Sequence, residues 1–440
     1  MPASRPLRRA AQAGATLLCA ALGGVGAAGA ATPQHAQPDL VLETYRTTGD
    51  QVAQRRHAWS LVARLTRTTA PGTDPAFTSW PDEDEVFANA GQDGTGAVPA
   101  RAGAHASAEA PVITRTFYND AAAQHIRRHR LHERASLERL RSQGPADEQL
   151  PGMRSVPPFP AEAIVLKTAW WPVAPQGLAP LPVWDPGLNA VRRGGTDHTR
   201  WSRVVALDPM PSASGPVGPA GSAGTTGPAR LEFAGRAFPA ARRIPLDATY
   251  HVVLDGPQAA RLMRDARSNK AARLVLGRPL VAGDVLALVA VHLATREISN
   301  WIWVTLWWHD TPDAGGFAAG RPAGLAAPWR HYLLDVAFDA VLPTTREGKP
   351  HISFNPWLEA RFPDGGQGGG TVSNCLACHQ RASYPSVGFL PVTRGAPQLT
   401  ADPAFAAGQL RTHFLWSIPL RAAGEGMIPP PATHRSIPAE

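Results

Sequence analysis

The sequence predicts an α+β protein, with N-terminal helices, a central antiparallel β-sandwich-like domain and a C-terminal helical segment. Three observations carry this. Early in the chain, Ala58, Leu61, Val62 and Leu65 recur at helical spacing, with Trp59 beside them. From Ala161 onward the apolar residues come instead in short runs rich in β-branched and aromatic side chains. Near the end, Asn374 stands before Cys375, Cys378 and His379, and suits the cap of a short helix.

With 440 residues the chain has room for two or three domains, or one large domain with additions. Apolar residues make up 44% and charged ones only 18%, enough for a sizeable core. The 41 Gly and 44 Pro imply many turns and long loops. Residues 1–30 have a basic start, an Ala/Leu/Gly run from Ala10 to Ala27, and the small-residue ending Ala28-Gly29-Ala30. That is the pattern of a cleaved secretory signal, so the protein is expected to be exported, with cleavage near Ala30. A twin-arginine route at Arg8-Arg9 lacks supporting residues after the pair, and a lipoprotein reading at Cys19 fails on Leu18. No later stretch reaches ~18–20 apolar residues, so no transmembrane segment is expected after cleavage. Loss of Arg5, Arg8 and Arg9 takes the formal charge from +8 to +5, which favours acidic partners without arguing for nucleic acid.

The elements then follow in order. Val52–Leu65 reads as a helix burying one face. Phe77–Phe87 reads as a turn leading into a short helix, with Trp80 and Phe87 as anchors, and residues 89–111 as loop. His125–Arg141 reads as one helix with six Arg and three His. His125, His129 and His132 share a face, which their arginine neighbours make a solvated basic face rather than a metal site. Strand candidates are Ala163–Trp171, Trp201–Leu207, Thr249–Leu254, Asp284–Leu293, Trp301–His309 and Arg330–Ala340, with a short helix at Gln258–Arg267. Pro209–Gly227 is a low-complexity insertion. In the strongest strand Trp301, Trp303, Thr305 and Trp307 alternate with Ile302, Val304, Leu306 and Trp308, so both faces are buried or one lines a pocket. Gln409–Trp416 reads as a last helix or strand. The expected organisation is a signal at 1–30, a helical region at 38–150, a β domain at 151–345 and a C-terminal segment at 346–440.

Cys375, Cys378 and His379 stand in C-x-x-C-H spacing. Two cysteines so spaced reach both vinyl groups of one haem, and the next histidine falls under the iron as proximal ligand. The chain has three cysteines, and the third lies in the leader, so the mature chain uses its only two here. A thioredoxin-type pair would follow a buried strand, whereas Phe362–Thr371 is a Gly-rich run. A structural zinc site lacks its remaining ligands. A disulfide across two residues would be strained. The expectation is one covalently attached haem c, which makes 346–440 a haem-binding segment.

Several stretches together resemble a family of exported bacterial proteins identified as cytochrome c family proteins. They are F-x-S-W-P-D-E-D-E-V-F, A-I-V-L-K-T-A-W-W-P-V, W-I-W-V-T-L-W-W-H-D, F-N-P-W-L-E-A-R-F and S-N-C-L-A-C-H-Q-R-A-S, in this order from about residue 40 to about 420. The resemblance implies haem attachment at Cys375 and Cys378 and ligation by His379, and assigns no role to the other motifs. Electron transfer with a redox partner protein is the leading functional expectation. The alternative is a haem-dependent oxidoreductase holding a small-molecule substrate in the β domain, and a sensor or structural role comes third. Candidates for the sixth iron ligand are Met427, His292 and His309, beside an open position. Nucleotide-binding loops, G-x-S-x-G and H-E-x-x-H are absent. Asp310 could orient His309 as a base, or the pair could be a charged strand end.

Overall fold

The computed structural model describes residues 39–68, 74–88, 112–150, 152–185, 198–209, 227–313, 315–348, 350–353, 355–359, 374–385 and 408–422. The leader, the loop at 89–111, most of the insertion at 209–227, the Gly run before Cys375 and Met427 lie outside them.

Asp39 caps α1 (Leu40–Thr48) by accepting from the backbone N–H groups of Val41 and Leu42, and Gly49 closes it at φ 65°. Asp50 caps α2 (Gln51–Leu65), whose predicted inner face is buried at Ala58, Trp59, Leu61 and Val62 and half-buried at Leu65. A 3-10 turn at Ala76–Ser79 leads into α3 (Glu83–Val86), opened by a capping box between Asp82 and Glu85. Strand β1 (Ile113–Tyr118) follows, outside the strands expected from the sequence.

The single helix expected over His125–Arg141 is two, α4 (Asp120–Arg128) and α5 (Arg134–Gln143). Arg130 adopts φ 52°, the N–H of Arg130 donates to the carbonyl of Arg127, and that of Leu131 to the carbonyl of Ile126. This is a Schellman termination, and Leu131 and Ile126 are both buried in one core, as the motif requires. Arginine stands where glycine usually marks such a stop.

Next come β2 (Arg154–Ser155), β3 (Ile164–Val173), β4 (Ala179–Val183) and β5 (Arg203–Asp208). They are followed by β6 (Ala229–Phe233), β7 (Arg236–Ala241), β8 (Arg243–Pro245) and β9 (His251–Val253). Two helices, α6 (Gly256–Met263) and α7 (Ala266–Leu276), stand where one was expected, each with its own aspartate cap, Asp255 and Asp265. The long strands β10 (Val285–Thr295), β11 (Ile302–Trp308) and β12 (Tyr332–Ala337) precede α8 (Cys375–His379). Then come β13 (Ser383–Tyr384), β14 (Leu410–Arg411) and the helix Ser417–Ala422.

The class is α+β, with a large antiparallel sheet in the order β1-β3-β10-β11-β12, and β9 beside the first half of β10. The sheet β4-β5-β8 shares one apolar core with it, through Leu181, Val205, Trp171 and Trp357. A second core gathers α4, α5, α8 and Trp303. All of β11 is buried, as its two apolar faces require. The small sheet β13-β14-β2 ties the segment after α8 to the chain just past α5. Trp59, Trp171, Trp201, Trp301, Trp308 and Trp357 are fully buried, each such side chain stabilising the fold by roughly 1.5–3 kcal/mol.

Candidate haem site

The side chain of Asn374 caps α8, accepting from the N–H of Ala377, while its Nδ2 donates to the carbonyl of Asp339 at 2.9 Å. The cap is the one expected. The helix is short: α8 stops at His379, and Ser383 and Tyr384 already pair with β14. One turn of helix turns Cys375 inward and leaves Cys378 and His379 with part of their surface exposed.

The Nδ1 of His379 lies 2.8 Å from the carbonyl oxygen of Phe414. A carbonyl only accepts, so Nδ1 carries the proton and the Nε2 lone pair is left for a metal. That carbonyl is aimed by unusual backbone: His413 and Phe414 take φ 50° and 70°, a conformation that costs about 1–3 kcal/mol per residue. Burial lowers His379 to about 4, so the imidazole is neutral, the form that ligates. Its ring packs on Trp303, whose own N–H donates to the carbonyl of Asn300.

Trp303 belongs to a face of the large sheet. One row across it reads Thr116, Lys167, His292, Thr305, Asp335, on β1, β3, β10, β11 and β12. The next row reads Tyr118, Val165, Ala294, Trp303, Ala337 and packs in the same core as Cys375 and Leu376. Thr305 and Asp335 are buried, His292 and Thr116 half-buried, and Lys167 exposed, so the face opens to solvent on the β1–β3 side.

His292 lies on this open part. Its Nε2 has no hydrogen-bond partner and stands 3.7 Å from Glu359 Oε1, beyond bonding distance. Burial holds it well below the usual histidine value, and the nearby Lys167 and His379 push the same way. Burial also pushes the Glu359 carboxyl up to about 7, against the opposing bond from the Asn355 N–H at 2.6 Å. Asn355 itself is fixed by donating from Nδ2 to Thr305 Oγ1 and to the Leu306 carbonyl.

Both thiols are pushed up, Cys378 to about 12, by burial and then by Glu359. Burial thus leaves both thiols protonated. Among the described residues no group of three or more His, Cys, Asp or Glu is arranged around a bare ion. A haem needs none, because its macrocycle supplies the equatorial nitrogens. Paired neutral thiols, an oriented neutral imidazole and a second, orphaned imidazole on an open sheet face fit that group.

The other candidates separate from the site. His309 lies just past the end of β11, six residues after Trp303 and roughly 20 Å away at ~3.3 Å per residue. Both its nitrogens are occupied, Nε2 at the Trp184 carbonyl and Nδ1 at the N–H of Thr311. Asp310 forms a two-pronged pair with Arg203 and so belongs to a charged strand end, not a base. Met427 lies outside the described residues. His125 is buried, with Nε2 at 3.0 Å from the Pro157 carbonyl, so the three helix histidines do not share an exposed face.

Glu359, Lys167, Asn355 and Phe414 had not been singled out. Lys167 carried a usable signal, as the lone charge in the run A-I-V-L-K-T-A-W-W. No family model, curated protein or solved structure matches the chain. Among the described residues no helix is long and apolar enough to cross a membrane.

Proposed function

We propose that the chain is an exported, periplasmic cytochrome c family protein that holds one haem c at Cys375 and Cys378 and serves in electron transfer. His379 is the proximal ligand and His292 the ligand from the sheet side. The observation that carries this is the Nδ1 contact of His379 with the Phe414 carbonyl, which leaves one nitrogen of a half-buried neutral imidazole for iron. The orphaned Nε2 of His292 supports the second ligand.

When bound, haem c supplies a one-electron iron couple whose potential follows axial ligation and burial. The residues around it do the rest. Trp303 and the Phe414 carbonyl hold the His379 ring in one orientation. Cys375 and Cys378, neutral and three apart on one helical turn, present both sulfurs from the same side. A redox partner protein accepts or delivers the electron.

A second reading, a haem-dependent oxidoreductase acting on a small molecule, is favoured by the grouping of Lys167, His292 and Glu359, which sets proton-carrying groups beside the motif. The visible spectrum separates the two. A low-spin, six-coordinate form in both oxidation states supports the carrier. A high-spin form that binds cyanide or carbon monoxide supports the enzyme.

A further inference from the structure

Residues 125–141 hold six Arg against two Glu, a net +4 within a chain whose formal charge is +8. The structure puts all six guanidinium-bearing residues, Arg127, Arg128, Arg130, Arg134, Arg139 and Arg141, at the exposed surface of α4, α5 and their connection. Arg130 and Arg141 pair with Glu133 and Glu138. Among the described residues the other four meet no carboxylate, so the patch keeps its charge.

Beneath this patch the rings stand in file. His129 is 4.5 Å from His125 by centroid, and His125 is 4.2 Å from Phe159. Phe159 is 5.5 Å from Trp301, Trp301 is 6.4 Å from Trp303, and Trp303 is 4.0 Å from His379. Every ring between the two ends is buried, while His129 is partly exposed among the arginines. Of the five described non-glycine residues with left-handed φ, four lie along this line: Arg130, Trp301, His413 and Phe414. Strained backbone persists where surrounding structure over-determines it, and it gathers at functional sites.

We propose that the arginine face of α4 and α5 is the docking surface for an acidic one-electron carrier protein, and that the file from His129 to His379 is the packed path joining them. The proposal rests on the haem reading. One electron leaves the carrier's reduced metal centre, which is oxidised by one unit, and the iron held by His379 is reduced by one. No bond forms or breaks and no proton must move. Opposite charge steers encounter and fixes register, so the association should weaken steeply with salt.

The test uses the matured full chain and an acidic blue-copper protein as probe, with binding followed by calorimetry at low ionic strength. Arg128→Glu with Arg139→Glu should weaken binding at least tenfold, while Arg273→Glu, an equally exposed reversal on α7, should leave it within twofold. Equal effects of the two variants, or tighter binding of a duplex DNA probe to the same face, overturn the docking surface. With the reduced probe saturating, Phe159→Leu should slow the first-order exchange several-fold at unchanged affinity. An unchanged rate overturns the path. Haem content is read from the spectrum of the same samples. Charge-dependent docking by protein without haem would sink the haem reading and leave the surface standing.

Discussion

The imidazole of His379 packs on the indole of Trp303, with ring centroids 4.0 Å apart and planes inclined by 36°. The first residue belongs to a five-residue helix and the second to β11 of the large sheet. With Nδ1 bonded to the Phe414 carbonyl, the ring is held from two sides before any iron is considered. The same sheet face carries His292 one row away, the residue proposed above as the second ligand.

His292→Ala should therefore convert a low-spin spectrum to one with a high-spin component that binds carbon monoxide. His309→Ala should leave the spectrum unchanged, since both ring nitrogens of His309 are spent on the Trp184 carbonyl and the Thr311 N–H. Absorption spectra of the two variants decide it. The reverse pattern would remove His292 from the site.

Arg55 and Asp335 form a buried pair at 2.8 Å, and the same guanidinium donates to the Leu334 carbonyl. Removing one partner of such a pair strands the other charge, at a cost of about 3–5 kcal/mol. His351 Nε2, at 2.9 Å from Asp335, would remain as a side-chain partner of that carboxylate. Arg55→Ala should accordingly lower stability by about 3–5 kcal/mol. Denaturant titration of the variant beside the parent protein measures it.

Burial, and then the neighbouring His129, lower His125 to about 4. Above the ordinary histidine value of 6.5 both the folded and the unfolded chain are neutral there, and His125 adds no pH dependence. As pH falls from 6.5 towards 4, the unfolded chain takes up a proton that the folded chain refuses, so stability drops by up to ~1.4 kcal/mol per pH unit. His125→Gln should flatten the acid limb of the stability curve in that window. An unchanged limb would show that the buried imidazole does not titrate in this way.

The parts that could be read in the sequence are those whose information is local. C-x-x-C-H lies within five residues, and the alternation from Trp301 to Trp308 sets a two-faced buried strand whatever its neighbours are. The Asn374 cap needs only the residues that follow it. What escaped depends on contacts between distant segments. Nothing near His292 indicates that its strand faces α8, and nothing near Phe414 indicates that its carbonyl meets His379. The break between α4 and α5 was hidden because Arg130 holds a left-handed position without the usual glycine. Strand β1 was hidden because its six residues follow a long Gly/Ala/Ser stretch and find their partner strand, β3, some fifty residues further on.

Haem joined to the sulfurs of Cys375 and Cys378 would survive denaturation. Intact-mass spectrometry of denatured protein, matured in a host that attaches haem outside the cytoplasm, should show the processed chain carrying one added haem. Peptide mapping should find it on the segment containing Cys375 and Cys378. The Cys375→Ala, Cys378→Ala double variant should show the bare chain. A wild-type chain without the added mass after such maturation, or a double variant that keeps it, would contradict the account.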